Sequence, residues 1–311
     1  MRSDSGMDQA EGLRRLLVCN QTQVITVVAG KAGVGRTSAT INLAAALAHS
    51  GKNVLVLDEN HNPNNLPDRL GLSAKYDLLD VAQGKCKLRD AVLTGRGFCV
   101  LPAARAIQAV QRAEGGLVTL KHEEQQRLKK ALTEASDGVD VMLVDTAALA
   151  GKTAVSSSLV SGAALLVVVE ATPSGITESY ALIKRLATEN VRQQFEIVVN
   201  KAGNEKAAMT VFENMAAVTR RNLPAHLEYF GYIPFDDRVN YATQLRKSVV
   251  EAFPAAVSTK SYLRLSQKLL RVPMQQDEAE GGVSAIIQNL MRQVSQSAAS
   301  ARSCETSGAN V

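Results

Sequence analysis

The run Val24-Ile25-Thr26-Val27-Val28-Ala29-Gly30-Lys31-Ala32-Gly33-Val34-Gly35-Arg36-Thr37-Ser38 decides the fold. Its first six residues are apolar or β-branched, the composition of a strand covered by helices on both faces. The glycines that follow let successive backbone N–H groups turn inward, and a helical pattern, Thr37 to His49, begins directly after them. A strand, a glycine-rich turn and a helix N-terminus in this order cradle phosphate, because the N–H groups and the helix dipole converge on one point. Thr37 adds a hydroxyl suited to Mg2+. The strict phosphate-loop pattern G-x-x-x-x-G-K-[ST] requires lysine where this chain has Arg36. Arginine keeps the positive charge but carries it on a bulkier planar fork.

Working outward, further short apolar runs are Val54 to Asp58, Val141 to Asp145, Ala164 to Glu170 and Glu196 to Asn200. Helical patterns lie between or after them at Glu123 to Ser136, Ile176 to Glu189, Glu205 to Arg221 and Asp237 to Glu251. Strand and helix in repeated alternation predict an α/β fold with a doubly wound, mostly parallel sheet. One domain is expected over residues 23–271, preceded by an arm, 1–22, and followed by 272–311, an acidic linker, a helical pattern and a Ser/Ala-rich tail.

Composition narrows the class. The 311 residues are 46% hydrophobic, 4% aromatic and 21% charged, without Trp, which excludes disordered and fibrous chains. Cys19, Cys86, Cys99 and Cys304 form no C-x-x-C pair and have no histidine at zinc-site spacing, so neither a metal site nor a disulfide framework is expected. No apolar run approaches the ~20 residues of a membrane span. Met1 to Glu11 is polar, so a soluble cytoplasmic chain is expected. The four histidines, His49, His61, His122 and His226, are scattered and read as solvated. The net charge of +5 sits in residues 201–272, where eleven lysines and arginines face six acids. It marks a docking face more than a general affinity for nucleic acid.

The loop resembles the deviant Walker A of the MinD/ParA family of P-loop ATPases, K-G-G-x-G-K-[ST], with Lys31 at the signature lysine. The resemblance continues through Asn42-Leu43-Ala44, Gly51 to Asp58, Asp58 to Leu66 (usually D-x-D-x-G-L-x-N-L), Val144 to Ala148, Asn200 and Gly231 to Asp236. It spans roughly residues 24 to 255 in family order. It implies that ATP is held by Gly30, Lys31, Ala32, Gly33, Val34, Gly35, Arg36, Thr37 and Ser38. Asn200 then reads the adenine, and Pro234 lies in the loop closing over the purine. Thr37, Asp58 and Asp145 are implied to serve Mg2+, and Lys31 to reach across an ATP-dependent homodimer.

Three departures bear on catalysis. The second Asp of D-x-D is Asn60, which carries no charge to polarise a water or accept its proton. Arg36 replaces lysine, and Ala32 replaces a glycine, with strain expected if that position needs a positive φ. Nucleotide binding is expected to survive while hydrolysis is slow or absent. The alternative is that Asp58 or Asp145 positions the water and Asn60 caps a turn.

The ends suggest partners. Asp8-Gln9-Ala10-Glu11-Gly12-Leu13-Arg14 matches D-Q-A-x-x-L-R, a motif of the family's flagellar-number regulators, in which it is implied to stimulate the GTPase FlhF. Asp8, Gln9, Ala10, Leu13 and Arg14 are therefore candidate partner contacts, against a frayed terminal helix without a partner. Val283, Ile286, Ile287, Leu290, Met291 and Val294 form one apolar helix face. The resemblance implies a membrane-binding helix, which would place the chain on the cytoplasmic face of the inner membrane, at a cell pole. Docking on its own domain or on the other subunit is the competing reading. A flagellar transcription activator or rotor component is a further implied partner. A pseudo-ATPase interaction module and a DNA-partitioning ATPase are the alternative functions.

Overall fold

Val24 and Ile25 are adjacent in the chain, point to opposite faces of a strand and are both fully buried. Such a strand must lie inside a sheet with helices on both sides. The computed structural model describes residues 22–112, 120–146, 164–189, 191–272 and 283–290. In it β1 (Gln23–Val28) is followed by α1 (Arg36–His49), β2 (Val54–Asp58), α2 (Leu66–Leu70), α3 (Leu78–Ala82), α4 (Leu88–Ala91), β3 (Leu93–Thr94), β4 (Cys99–Pro102) and α5 (Ala104–Arg112). The chain continues through α6 (His122–Ser136), β5 (Val141–Asp145), β6 (Ala164–Glu170), α7 (Pro173–Thr188), β7 (Gln194–Ala202), α8 (Glu205–Asn222) and β8 (His226–Pro234). It then forms α9 (Asp237–Gln244), α10 (Val249–Ala252), α11 (Val257–Leu269) and a helix over residues 283–290, α12.

The strands form one eight-stranded sheet in the order β3-β4-β2-β5-β1-β6-β7-β8. Every pairing is parallel except β3 with β4. The expected doubly wound α/β fold is what the chain adopts. β1 lies between β5 and β6, so the path out to β2 on one side and to β6 on the other opens a crevice at the strands' carboxyl ends. Ligands of open α/β sheets bind at such a point.

Alternation along the strands distributes the core. Ile25, Val27, Val54, Val56, Val141 and Leu143 pack with α1 and α11 on one face. The opposite face has two clusters: Leu55, Leu57, Met142 and Val144 pack with α3, α5, α6 and α12, while Leu165, Val167 and Val169 pack with α7 and α8. Ile286, Ile287 and Leu290 of α12 are buried in the first of these, with Val283 partly buried beside them. That face of α12 therefore lies on its own domain. Met291 and Val294, like the arm and its D-Q-A-x-x-L-R motif, fall outside the described residues.

Two boundaries depart from expectation. The single helix expected over Asp237 to Glu251 is two, α9 and α10, because Arg246 takes a left-handed φ of 56°. Ser248 then restarts the chain as an N-cap, accepting from Glu251 N at 3.1 Å. β8 follows α8 and pairs with β7 through register shifts between Ile197 and Val198 and between Asn200 and Ala202. These bring Pro234 beside Ala202 at the mouth of the crevice.

Candidate functional site

The turn after β1 is shaped by its glycines. Gly33 and Gly35 have φ of 83° and 99°, a region that side chains resist. A Cβ on Gly35 would meet Asn200 Nδ2 at 2.3 Å, and one on Gly30 would meet the Glu178 carbonyl oxygen in α7 at 2.2 Å. Glycine is therefore what lets β7 and α7 close on the loop. Ala32 is not among the left-handed non-glycine residues, which are Asn64, Lys201 and Arg246 among those described. The strain expected from Ala32 is absent, since the backbone there does not need positive φ. Gly35 caps α1 without any side-chain hydrogen bond, so the first N–H groups of that helix face the crevice uncapped.

One side of the crevice centres on Asp145, which is fully buried at the end of β5. Its Oδ2 accepts from Thr37 Oγ1 at 2.8 Å, and its Oδ1 accepts from Arg36 Nε at 2.9 Å and Thr40 Oγ1 at 3.2 Å. Asp58 is its register partner on β2. Asp58 accepts from the backbone N–H of Asn60 at 3.0 Å and of Leu66 at 3.3 Å. Burial, then the neighbouring Asp145 charge, pushes the Asp58 carboxyl up to about 8. Thr37, Asp58 and Asp145 are hard oxygen donors and fit Mg2+.

Asn60 is buried and sits in the same loop, but its amide carbonyl turns back on the chain. Its Oδ1 accepts from Asn62 N and Asn62 Nδ2, both at 3.2 Å. This is an Asx-type turn, and its two bonds use both lone pairs of the amide oxygen, the one acceptor with which the side chain could hold a water's O–H.

The opposite side, where the resemblance places the base, is held differently. Asn200 Nδ2 donates to Val34 O at 2.7 Å, and Asn200 Oδ1 accepts from Lys201 N at 2.9 Å. Lys201 has a left-handed φ of 56°, and its Nζ reaches Gly33 O at 3.1 Å and Glu170 Oε1 at 2.6 Å. A strained residue thus ties β7 to the phosphate loop. Pro234 and Phe235 complete this wall, with Phe235 61% exposed. Between the two sides lies a cavity of about 300 Å³ that reaches from Lys31 and Thr37 to Pro234. Lys31 itself is exposed and donates to Ser174 Oγ at 3.1 Å, at the start of α7.

Two cations in this cavity were not read from the sequence. Lys201 follows Asn200 directly, which was a usable signal. Arg69 was not signalled: α2 carries it to Ser38 Oγ at 2.9 Å, and its Nε donates to Asn64 O at 2.9 Å. All four histidines are exposed, and no cluster of three His, Cys, Asp or Glu suited to a metal occurs among the described residues.

A phosphate loop, paired carboxylates and an asparagine at the base wall, on a parallel sheet, define a nucleotide-binding P-loop fold. Residues 22–197 match the family model described as an AAA domain. The chain is 37% identical to the antiactivator FleN of Pseudomonas aeruginosa over 253 residues, 81% of this chain and 88% of that protein. It resembles the MinC:MinD cell division complex of Aquifex aeolicus, with TM-score 0.60 and 25% identity over 84% of this chain and all of that one. A MinD bound to Mg-ADP, from Pyrococcus horikoshii, shares the fold at TM-score 0.60, 20% identity and coverage of 80% and 96%. The chain belongs to the MinD/ParA family of P-loop ATPases. Within it, the antiactivator FleN is a relative that this chain covers to 88% of its length.

Proposed function

We propose that this chain is a MinD-like regulator of flagellar number and placement that binds ATP with Mg2+ and turns it over slowly. The observation that carries the reading is a contrast within one cavity: the loop glycines let Asn200 and β7 close on the phosphate loop, which supports nucleotide binding, while Asn60 spends its carbonyl on Asn62. Thr37, Asp58 and Asp145 would hold the metal, which when bound neutralises phosphate charge. The uncapped N–H groups of α1 and the cations Lys31, Arg36, Arg69 and Lys201 bind and orient the triphosphate. Asp58 and Asp145 retain carboxylates near the metal but are committed to backbone N–H groups and to α1, respectively.

The state so built is a switch held in its nucleotide-bound form. Lys31 is exposed and, among the described residues, hydrogen-bonds only to Ser174 Oγ at the rim, so it can serve a partner protomer in an ATP-dependent homodimer. The arm, Asp8 to Arg14, contacts an FlhF-type GTPase, and a flagellar activator or rotor component is a second partner. The FleN relative, an antiactivator, supports the flagellar reading. For the membrane, α12 must first leave its own domain, because Ile286, Ile287 and Leu290, on the face that would enter lipid, are buried in the core cluster on one side of the sheet. No described helix is long and apolar enough to cross a membrane. Peripheral attachment by α12 thus requires its release, at the cytoplasmic face of the inner membrane.

Calorimetry with ATP and Mg2+ tests the site. Saturable binding, followed by a dimer by size in ATP and a monomer in ADP, is expected. Stimulation of FlhF-type GTP hydrolysis that survives Gln9→Ala would remove the arm from the account. Liposome co-sedimentation of the full chain against one ending at Gln276 tests α12.

A further inference from the structure

The Arg36 side chain does not lie over the rim of the phosphate loop; it is turned into the site. It is 9% exposed, Asp145 is 0% exposed, and the two are joined from Nε to Oδ1 at 2.9 Å. Thr40 and Thr37 hold the same carboxylate from the α1 side, at 3.2 and 2.8 Å. Asp145 is thus fixed and neutralised by groups of one helix.

A lysine at this position would carry one compact ammonium, able to serve the carboxylate or a phosphate. An arginine carries its donors in a rigid fork. With Nε on Asp145, Nη1 and Nη2 hydrogen-bond to none of the described residues, and Arg36 lines the cavity between Thr37 and Lys201. The fork therefore has a second edge presented to whatever fills that cavity, and planar bidentate donors of this kind match phosphate oxygens.

We propose that Arg36 bridges Asp145 and the nucleotide phosphates as a built-in cation, so that the chain binds ATP almost as well without a divalent ion as with one. The proposal rests on the nucleotide-binding reading above and goes beyond it in assigning the charge neutralisation to a side chain. With Arg36 already compensating phosphate charge, the Mg2+ that Thr37, Asp58 and Asp145 would hold adds little to the affinity. Lysine lacks the second edge, and Arg36→Lys makes binding depend on the metal.

The test is calorimetric titration of the full chain with ATP, once in Mg2+ and once in excess EDTA, for the wild type and for Arg36→Lys. The wild-type dissociation constant changes by less than about threefold between the two buffers, and that of the variant weakens by about tenfold or more in EDTA. Wild-type binding that is sound in Mg2+ and about tenfold or more weaker in EDTA overturns the proposal and leaves the nucleotide reading standing. A variant as indifferent to EDTA as the wild type overturns the role of Arg36. Failure to bind in either buffer overturns both readings. If the variant does not fold, the wild-type pair of titrations still decides metal independence.

Discussion

The two walls of the cavity differ in what they keep. On the base side, Gly35, Asn200 and Lys201 form a closed set: the glycine is needed for the asparagine's approach, and the strained lysine pins the asparagine's strand to the loop. On the other side Asp58, Asp145 and Thr37 are present, but Asn60 stands where a carboxylate is expected and Arg36 is bonded to Asp145. In the function proposed above, the first wall holds the nucleotide and the second lacks the carboxylate that would orient an attacking water. The contrast teaches that binding and hydrolysis can rest on separable parts of one fold, and the proposal is that this chain keeps the first more fully than the second.

The comparison breaks most severely at Asp145. Asp145→Ala strands a buried guanidinium and two threonine hydroxyls, and should lower stability by about 3–5 kcal/mol in urea unfolding. An Asp145→Ala chain as stable as wild type would mean that Arg36 reaches solvent. On the opposite wall, Gly35→Ala forces a side chain into φ 99° and against Asn200. It should cost about 1–3 kcal/mol and remove ATP binding, as read by calorimetry.

Asp58 sharpens the contrast through pH. Its folded pKa of about 8 lies above the ordinary 3.8, so between these values the folded chain keeps a proton that the unfolded chain has lost. Stability of the nucleotide-free protein should therefore fall as pH rises toward 8, by at most about 1.4 kcal/mol per pH unit from this group, and level off above. Asp58→Asn should flatten that slope between pH 6 and 8. A slope unchanged in the variant assigns it elsewhere. The smallest effect is at the rim: Lys31→Ala should change stability by less than about 0.5 kcal/mol while reducing ATP-dependent dimerisation, measured by sedimentation.

Much of the sheet was legible because parallel central strands are continuous apolar runs: Val54–Asp58, Val141–Asp145 and Ala164–Glu170 occur as read. β8 was not read as a strand, since His226, Glu228 and Tyr229 interrupt its apolar pattern at the sheet edge. The break between α9 and α10 depends on a single left-handed Arg246, which propensity does not foresee. In the site, residue types and spacing located the loop and both carboxylates. What they could not give is direction: that Asn60 folds onto Asn62, that Arg36 turns to Asp145, and that Arg69 arrives from α2 are tertiary facts. The apolar face of α12 was equally plain in the sequence, but docking on its own domain was one of the open readings until the packing was known.

The central claim is that this chain holds ATP and scarcely cleaves it. It is tested most directly by following bound nucleotide and released phosphate together, in the wild type and in Asn60→Asp/Arg36→Lys. The account predicts saturable binding by the wild type with turnover below about 10⁻³ per second, the range of a P-loop enzyme with a poorly oriented nucleophile. It predicts a rise of about tenfold or more in the double variant. Wild-type phosphate release at several per second, or no gain in the variant, would contradict it.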